Sequence, residues 1–314
     1  MAEKLICVVG PTACGKTRLG VLLAQKYNGE VVSCDSMQIY RGMAIGTAAA
    51  TSAEMEGVPH HMLAVADSAE SWSAARYVSA ATPVVEDILA RGRRPVLVGG
   101  TGLWLDSLLR GHAFAPGMAG GAVRTELEAR LAQDGIGPLW EELRRADPVA
   151  AEKLHPADVK RILRALEVFR ETGQTLSAHD AAERALPPKF ASVKIGLRFA
   201  DRQDMKALID RRVDAMVAAG LLDEVRSLLN RGLPRSATAL QAIGYKEFAG
   251  VLAGEKTEAE AVEEVKLRSR QYAKRQLTWL RRDSDIHWIE WEKNRDFARA
   301  LQISTEILSA EGLS

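Results

Sequence analysis

The run Gly10-Pro11-Thr12-Ala13-Cys14-Gly15-Lys16-Thr17 fits G-x-x-x-x-G-K-[ST] at every fixed position. That spacing suits the holding of a diphosphate or triphosphate. Glycines let backbone N–H groups converge on an anion, Lys16 adds a full positive charge, and the Thr17 hydroxyl is placed for Mg²⁺. Asp35 closes an apolar run and is followed by Ser36, Met37 and Gln38. A carboxylate there can serve as general base or magnesium partner, beside groups able to read a substrate edge. Gly99-Gly100-Thr101-Gly102 offers a second close approach of backbone to a ligand, with Thr101 as hydrogen-bond donor or helix cap. The run before it, Val96-Leu97-Val98, ends in glycine, where a kinase or ATP hydrolase commonly carries an acidic residue. That counts against nucleotide hydrolysis.

These groups need strands to carry them. Leu5–Val9 reads as a buried strand and Leu19, Leu22, Leu23 and Lys26 follow helical spacing, so strand, loop and helix flank the glycine motif. Further strands are expected at 31–34, 61–65, 95–98, 193–197 and 287–291, with helices over 73–90 and 103–109. Strands alternating with helices imply an α/β fold with a parallel, P-loop-type sheet and ligands at its carboxyl edge. From Ala113 to Gly121 the chain reads as a flexible connector, and helices alone follow to Pro187-Pro188. The expected layout is a core of 1–111 and 191–314 interrupted by a helical insertion, 112–190.

The net charge of +1 over 314 residues excludes a uniformly basic nucleic-acid binder. It leaves room for local clusters. Lys160, Arg161 and Arg164 share one helix, and Lys266, Arg268, Arg270, Lys274, Arg275, Arg281 and Arg282 crowd another with Tyr272 and Trp279 between them. Either set could be a solvated face, but basic residues interleaved with aromatics favour a phosphate-backbone track. Cys7, Cys14 and Cys34 are odd in number and lack C-x-x-C spacing, which suits small packed residues in a reducing cytoplasm. His60-His61 reads as packing or turn chemistry, not as a metal site. No apolar run reaches membrane-span length, and Met1–Lys4 enters a strand at once, with no room for a leader.

Taken together, Gly10–Thr17, Asp35–Thr47, Gly57–His61, Ser73–Arg76, Val98–Leu103, His155–Gly173, Gly244–Glu247 and Tyr272–Arg282 resemble the tRNA dimethylallyltransferases of bacterial type, in the family's order along most of the chain. The resemblance implies that the P-loop holds the diphosphate of dimethylallyl diphosphate, not ATP. The acceptor it implies is N6 of the adenosine immediately 3′ to the anticodon, presented by a tRNA anticodon stem-loop. It places Asp35, Ser36, Met37, Gln38, Thr101 and Arg124 on the tRNA side. It adds Lys160, Arg161, Ile162, Leu163 and Arg164, then Gln241, Ala242, Ile243, Gly244, Tyr245 and Lys246. From the basic helix it adds Lys274, Arg275, Gln276, Leu277, Thr278, Trp279, Leu280 and Arg281. Thr101 and Arg212 correspond to donors near the reacting diphosphate, and the insertion to a tRNA clamp. The chain departs from the family at Ala49-Ala50, at Trp104 (commonly tyrosine) and at Gln241 (basic in some relatives). A monomer acting in the cytoplasm is expected.

An exocyclic adenine amine is a poor nucleophile, whereas an allylic diphosphate has a good leaving group. Catalysis must gather charge around that group and align the amine. The P-loop, Lys16, Thr17 with Mg²⁺, Thr101 and Arg212 suit the first task, and Asp35 suits the second by accepting a proton. The adenine would have to swing out of its stack. Three rivals remain at this point: a P-loop kinase of a small metabolite, an RNA-binding protein with a nucleotide switch, and an isopentenyltransferase acting on free adenine nucleotides.

Overall fold

The side chains of Leu5–Val9, strand β1, are all buried, and they alternate between two cores. Leu5, Cys7 and Val9 join one, while Ile6 and Val8 join the other. A strand sandwiched this way reads as a continuous apolar run, because helices cover both faces of a parallel sheet. The computed structural model describes residues 4–115 and 121–313, so Met1–Glu3 and most of the expected connector lie outside the described residues.

Five more strands follow: β2 (Gly29–Ser33), β3 (His60–His61), β4 (Arg94–Gly99), β5 (Ser192–Phe199) and β6 (Ile286–Trp291). Their order is β3-β2-β4-β1-β5-β6, and every pairing is parallel. The helix Lys16–Lys26 joins the face that buries Ile6 and Val8, while the helices Ala74–Ala90 and Gly102–Arg110 cover the other. Trp104 stacks on Tyr77 there, with ring centroids 4.2 Å apart, so this departure from the family pattern is a packing choice. Each fully buried aliphatic side chain in these cores contributes about 1.5–3 kcal/mol.

One expected strand is cut short. The run 61–65 pairs with β2 only at His61, joined by His60 before it, because Met62 and Ala64 take left-handed backbone angles, φ 57° and 50°. His61 Nε2 instead meets the buried Glu30 carboxylate at 2.7 Å. Arg91 and His61 together hold that carboxyl at a pKa of about 2. The buried carboxylate partner of His61 is a feature that the reading of the pair as packing or turn chemistry did not include.

His112–Pro188 forms a separate compact unit. Its helices Ala122–Asp134, Ile136–Ala146, Pro148–Lys153, Val159–Thr172 and Leu176–Ala185 close over Leu127, Leu139, Leu143, Ile162 and Leu166. The buried Asp147 carboxylate caps Pro148–Lys153 through Ala150 N–H (3.0 Å) and accepts from Ser177 N–H (3.0 Å). Lys189 and Phe190, expected in the insertion, belong with the sheet unit, where Phe190 N–H donates to Leu109 O at 3.0 Å.

Candidate functional site

β1, β2 and β4 deliver their carboxyl ends to one edge of the sheet. After β1 the chain turns through Gly10 (φ 152°), where a Cβ would stand 2.5 Å from the Leu197 carbonyl oxygen, and Gly15 (φ 93°) opens the helix at Lys16. Lys16 Nζ donates to Pro11 O at 2.8 Å. Three distant residues fix this loop. Gln276 Oε1 accepts from Thr12 N–H (2.8 Å), Trp291 Nε1 donates to Cys14 O (2.8 Å), and Arg295 Nη1 donates to Ala13 O (3.4 Å). Burial pushes the Cys14 thiol up, so it is an inert packing group.

Asp35 follows β2, and its Oδ1 accepts from Met37 N–H (2.9 Å) and Gln38 N–H (3.3 Å), an Asx turn that fixes the carboxylate. Thr101 stands at the start of its helix but does not cap it. Its Oγ1 accepts from Ser36 N–H at 3.1 Å and so ties the Asp35 loop to the end of β4. Gln38 lines the cavity beside the P-loop, but its side-chain amide is already engaged. Its Nε2 donates to Thr47 O and Ala48 O, both at 3.2 Å, and its Oε1 accepts from Ser33 Oγ. The short helix Ala44–Thr47 is held from behind by the Glu224 carboxylate, which accepts from Ile45 N–H (2.9 Å), Gly46 N–H (3.0 Å) and Tyr245 OH (2.5 Å).

Arg212 reaches across this edge from the helix Arg202–Ala218. It donates to Thr12 Oγ1 at 3.3 Å and to Thr47 O at 3.5 Å, while its Nε is buried without a partner among the described residues. Burial lowers its pKa, and the charge of Asp35 opposes that fall. Tyr272 is pushed up to about 12, first by burial and then by the charge of Asp35, so it stays a neutral hydrogen-bonding phenol.

Two cavities meet here. One, of about 520 Å³, is lined by Lys16, Thr17, Arg211 and Arg295 together with Glu54 and Phe297. The other, of about 290 Å³, has an apolar wall of Met37, Ile209, Val213, Met216, Ile243 and Val265. Both are lined by Thr12, Ala13, Asp35, Thr47, Arg212 and Tyr272. One arm can hold a diphosphate, the other a flat or apolar group, and Asp35 with Arg212 stands where they join. Thr17, Asp35 and Glu54 bring oxygen donors to the first arm, the donor type that Mg²⁺ prefers.

The other expected residues divide. Gln241, Ala242, Ile243 and Gly244 line the apolar arm. Lys160, Arg161 and Lys246 are exposed, whereas Arg124 is paired with Glu128 (2.7 Å) and Arg164 with Glu167 (3.0 Å). Ile162, Leu163, Tyr245 and Leu280 are core side chains and cannot touch a partner. Gln276, expected on the tRNA side, is buried between Thr12 N–H and Gly100 O (3.0 Å). Leu277 packs partly buried against Met205, Ile209 and Ala273. On the long helix Glu258–Leu280, Lys266, Arg268 and Arg270 are taken up by Asp214, Glu247, Glu264 and Asp210. Lys274, Arg275, Thr278, Trp279 and Arg282 line a shallow pocket with Gln271, and Arg281 is exposed beside it. Sequence reasoning missed Glu54, Arg211, Arg295 and Phe297, which no motif marks. It met Tyr272 only as an aromatic among bases.

The model of the family described as IPP transferase matches residues 38–283. A tRNA dimethylallyltransferase of Halalkalibacterium halodurans is 45% identical over 290 residues, covering 92% of each chain. One of Geobacillus thermodenitrificans is 43% identical over 298 residues, covering 95% of this chain and 94% of its own. Among solved structures, a full-length tRNA isopentenylpyrophosphate transferase from Bacillus halodurans superposes with a TM-score of 0.74 at 42% identity, covering 98% of this chain and 96% of the other. A eukaryotic dimethylallyltransferase acting on tRNA superposes with a TM-score of 0.84 at 30% identity, covering 98% of this chain and 80% of its own.

Proposed function

The chain belongs to the tRNA dimethylallyltransferases, the IPP transferases, and from that premise we propose how its two joined cavities carry out the reaction. The enzyme transfers a dimethylallyl group from dimethylallyl diphosphate to N6 of the adenosine 3′-adjacent to the anticodon in tRNA, releasing diphosphate. The observation that carries the mechanism is the position of Asp35 at the junction of a basic, P-loop-lined arm and an apolar arm.

The donor's diphosphate lies in the first arm. P-loop N–H groups, Lys16 and Arg212 face its oxygens and gather the charge that grows as the allylic C–O bond breaks. Thr17, with carboxylates nearby, suits a Mg²⁺ ion held together with the diphosphate; when bound, the ion neutralises leaving-group charge. The adenine, swung out of the anticodon loop, enters by the other arm, where Ile243 and Met216 offer flat apolar contact. Its amine attacks the allylic carbon, and Asp35 accepts the proton lost as the C–N bond forms. Asx-turn bonds leave the second oxygen of Asp35 free for that role. Thr101 acts through Ser36 to set the Asp35 loop. The exposed Lys274, Arg275, Thr278, Trp279 and Arg281 track the tRNA backbone, with Lys160, Arg161 and Lys246 as further contacts. We take the enzyme to act as a monomer in the cytoplasm, where a tRNA substrate and the protein's own three unbridged cysteines fit.

The test is incubation with labelled dimethylallyl diphosphate and either unmodified tRNA or ATP. Label should appear on the tRNA adenine and not on ATP. ATP hydrolysis without prenyl donor should stay well below ~1 s⁻¹, the lower end of ordinary enzyme turnover. Label on ATP, or ATP turnover at that rate, would overturn the reading.

A further inference from the structure

The insertion contains a cluster that the transfer reaction does not use. His112, His179 and Asp180 bring candidate ligand atoms within 4.8 Å of one another. His179 and Asp180 sit on the helix Leu176–Ala185, and His112 lies on the segment that begins the unit. His179 Nδ1 is buried without a hydrogen-bond partner among the described residues, an unmet need at the centre of the group. The two imidazole rings stand edge to face, centroids 6.0 Å apart, and Phe114 packs against the His112 ring at 4.7 Å. Glu183 Oε2 accepts from Ala113 N–H (2.9 Å) and stands 3.5 Å from His112 Nδ1.

We propose that His112, His179 and Asp180 form a binding site for a borderline divalent metal of the Zn²⁺ type, with Glu183 as the carboxylate that orients His112. Two imidazoles and a carboxylate are a donor set that zinc accepts, with a fourth position left to water. Bonds of about 2.0–2.1 Å put tetrahedral ligand atoms about 3.3 Å apart, so atoms that now lie within 4.8 Å must close by up to about 1.5 Å. Two carboxylates beside two imidazoles make the site suited to a dication. The metal ties the first residue of the insertion to its last helix, so its binding free energy adds to the stability of that unit.

The experiment uses the full chain, stripped of metal by chelation and then held in excess Mg²⁺ to occupy hard-oxygen sites. Co²⁺ is titrated in as a spectroscopic probe, with Zn²⁺ as competitor. One Co²⁺ per chain should bind with visible d–d absorption, and Zn²⁺ should displace it. His112→Asn and His179→Asn should each weaken binding by ~10-fold or more, and the Zn²⁺-induced rise in melting temperature should vanish in both. Should either histidine variant fail to fold, Asp180→Asn, at a half-exposed position, decides by the same readouts. No saturable Co²⁺ absorption in the unaltered chain overturns the proposal. So does binding that is equally tight in the variants, which would move the metal to another histidine.

Discussion

The long helix Glu258–Leu280 carries two basic stretches that are alike in composition and opposite in fate. In its middle turns, Lys266, Arg268 and Arg270 each find a carboxylate, from Asp214 and Glu263, from Glu247 and Glu264, and from Asp210. In its last turns and just beyond, Lys274, Arg275, Arg281 and Arg282 form no ion pair among the described residues, and Arg275 and Arg282 lie over the rings of Tyr272 and Trp279. The inward face of the same turns carries Tyr272 and Gln276 to Asp35 and the P-loop. A count of charges therefore does not by itself locate a nucleic-acid surface; the charges left without partners are the better candidates. Paired bases have spent their electrostatic capacity inside the fold, whereas unpaired ones can release counterions from a polyanion.

The contrast can be tested by cutting each part separately. The largest effect is expected at Asp35, where Asp35→Asn keeps the shape and removes the base. Single-turnover transfer should fall by ~10²-fold or more with tRNA affinity unchanged. A near-native rate in a quenched-flow assay would make Asp35 a binding residue. Gln276→Leu comes next. Losing both amide bonds should loosen Thr12 and Gly100 and weaken dimethylallyl diphosphate binding by ~10-fold, about the cost of one or two hydrogen bonds. The tRNA affinity should hold, and Gln276→Glu should restore part of the loss by keeping the acceptor for Thr12 N–H. Calorimetry with donor alone reads this, and unchanged donor affinity would show that the P-loop holds itself. The smallest effect belongs to the paired stretch. Lys266→Gln with Arg270→Gln should change tRNA affinity by less than ~2-fold, since both charges already face carboxylates and release few counterions. A large loss of tRNA affinity there would break the contrast.

Much of this site was legible in residue order. The P-loop, the Asp35 turn and the glycine loop after β4 each sit at a strand end, and short apolar runs between helices reveal strand ends. What could not be read was partnership over distance. Gln276 bonds Thr12 across 264 positions and Trp291 bonds Cys14 across 277. No local pattern distinguishes Gln276 from its exposed neighbours Lys274 and Arg275. The same holds for Ile162 and Leu163, which share a stretch with Lys160 and Arg161 but turn into the insertion core. At β3 the apolar run 61–65 misled because left-handed turns at Met62 and Ala64 leave no trace in hydrophobicity.

The central claim is that the unpaired end of the long helix meets tRNA while the P-loop meets the donor. It is tested most directly by changing Lys274, Arg275 and Arg281 together to Ala and titrating tRNA at several salt concentrations beside a donor titration by calorimetry. The account predicts weaker tRNA binding, a salt slope shallower by ~0.7–0.9 for each phosphate contact removed, and donor affinity unchanged. An unchanged salt slope would contradict it, and these bases would then be an ordinary solvated face.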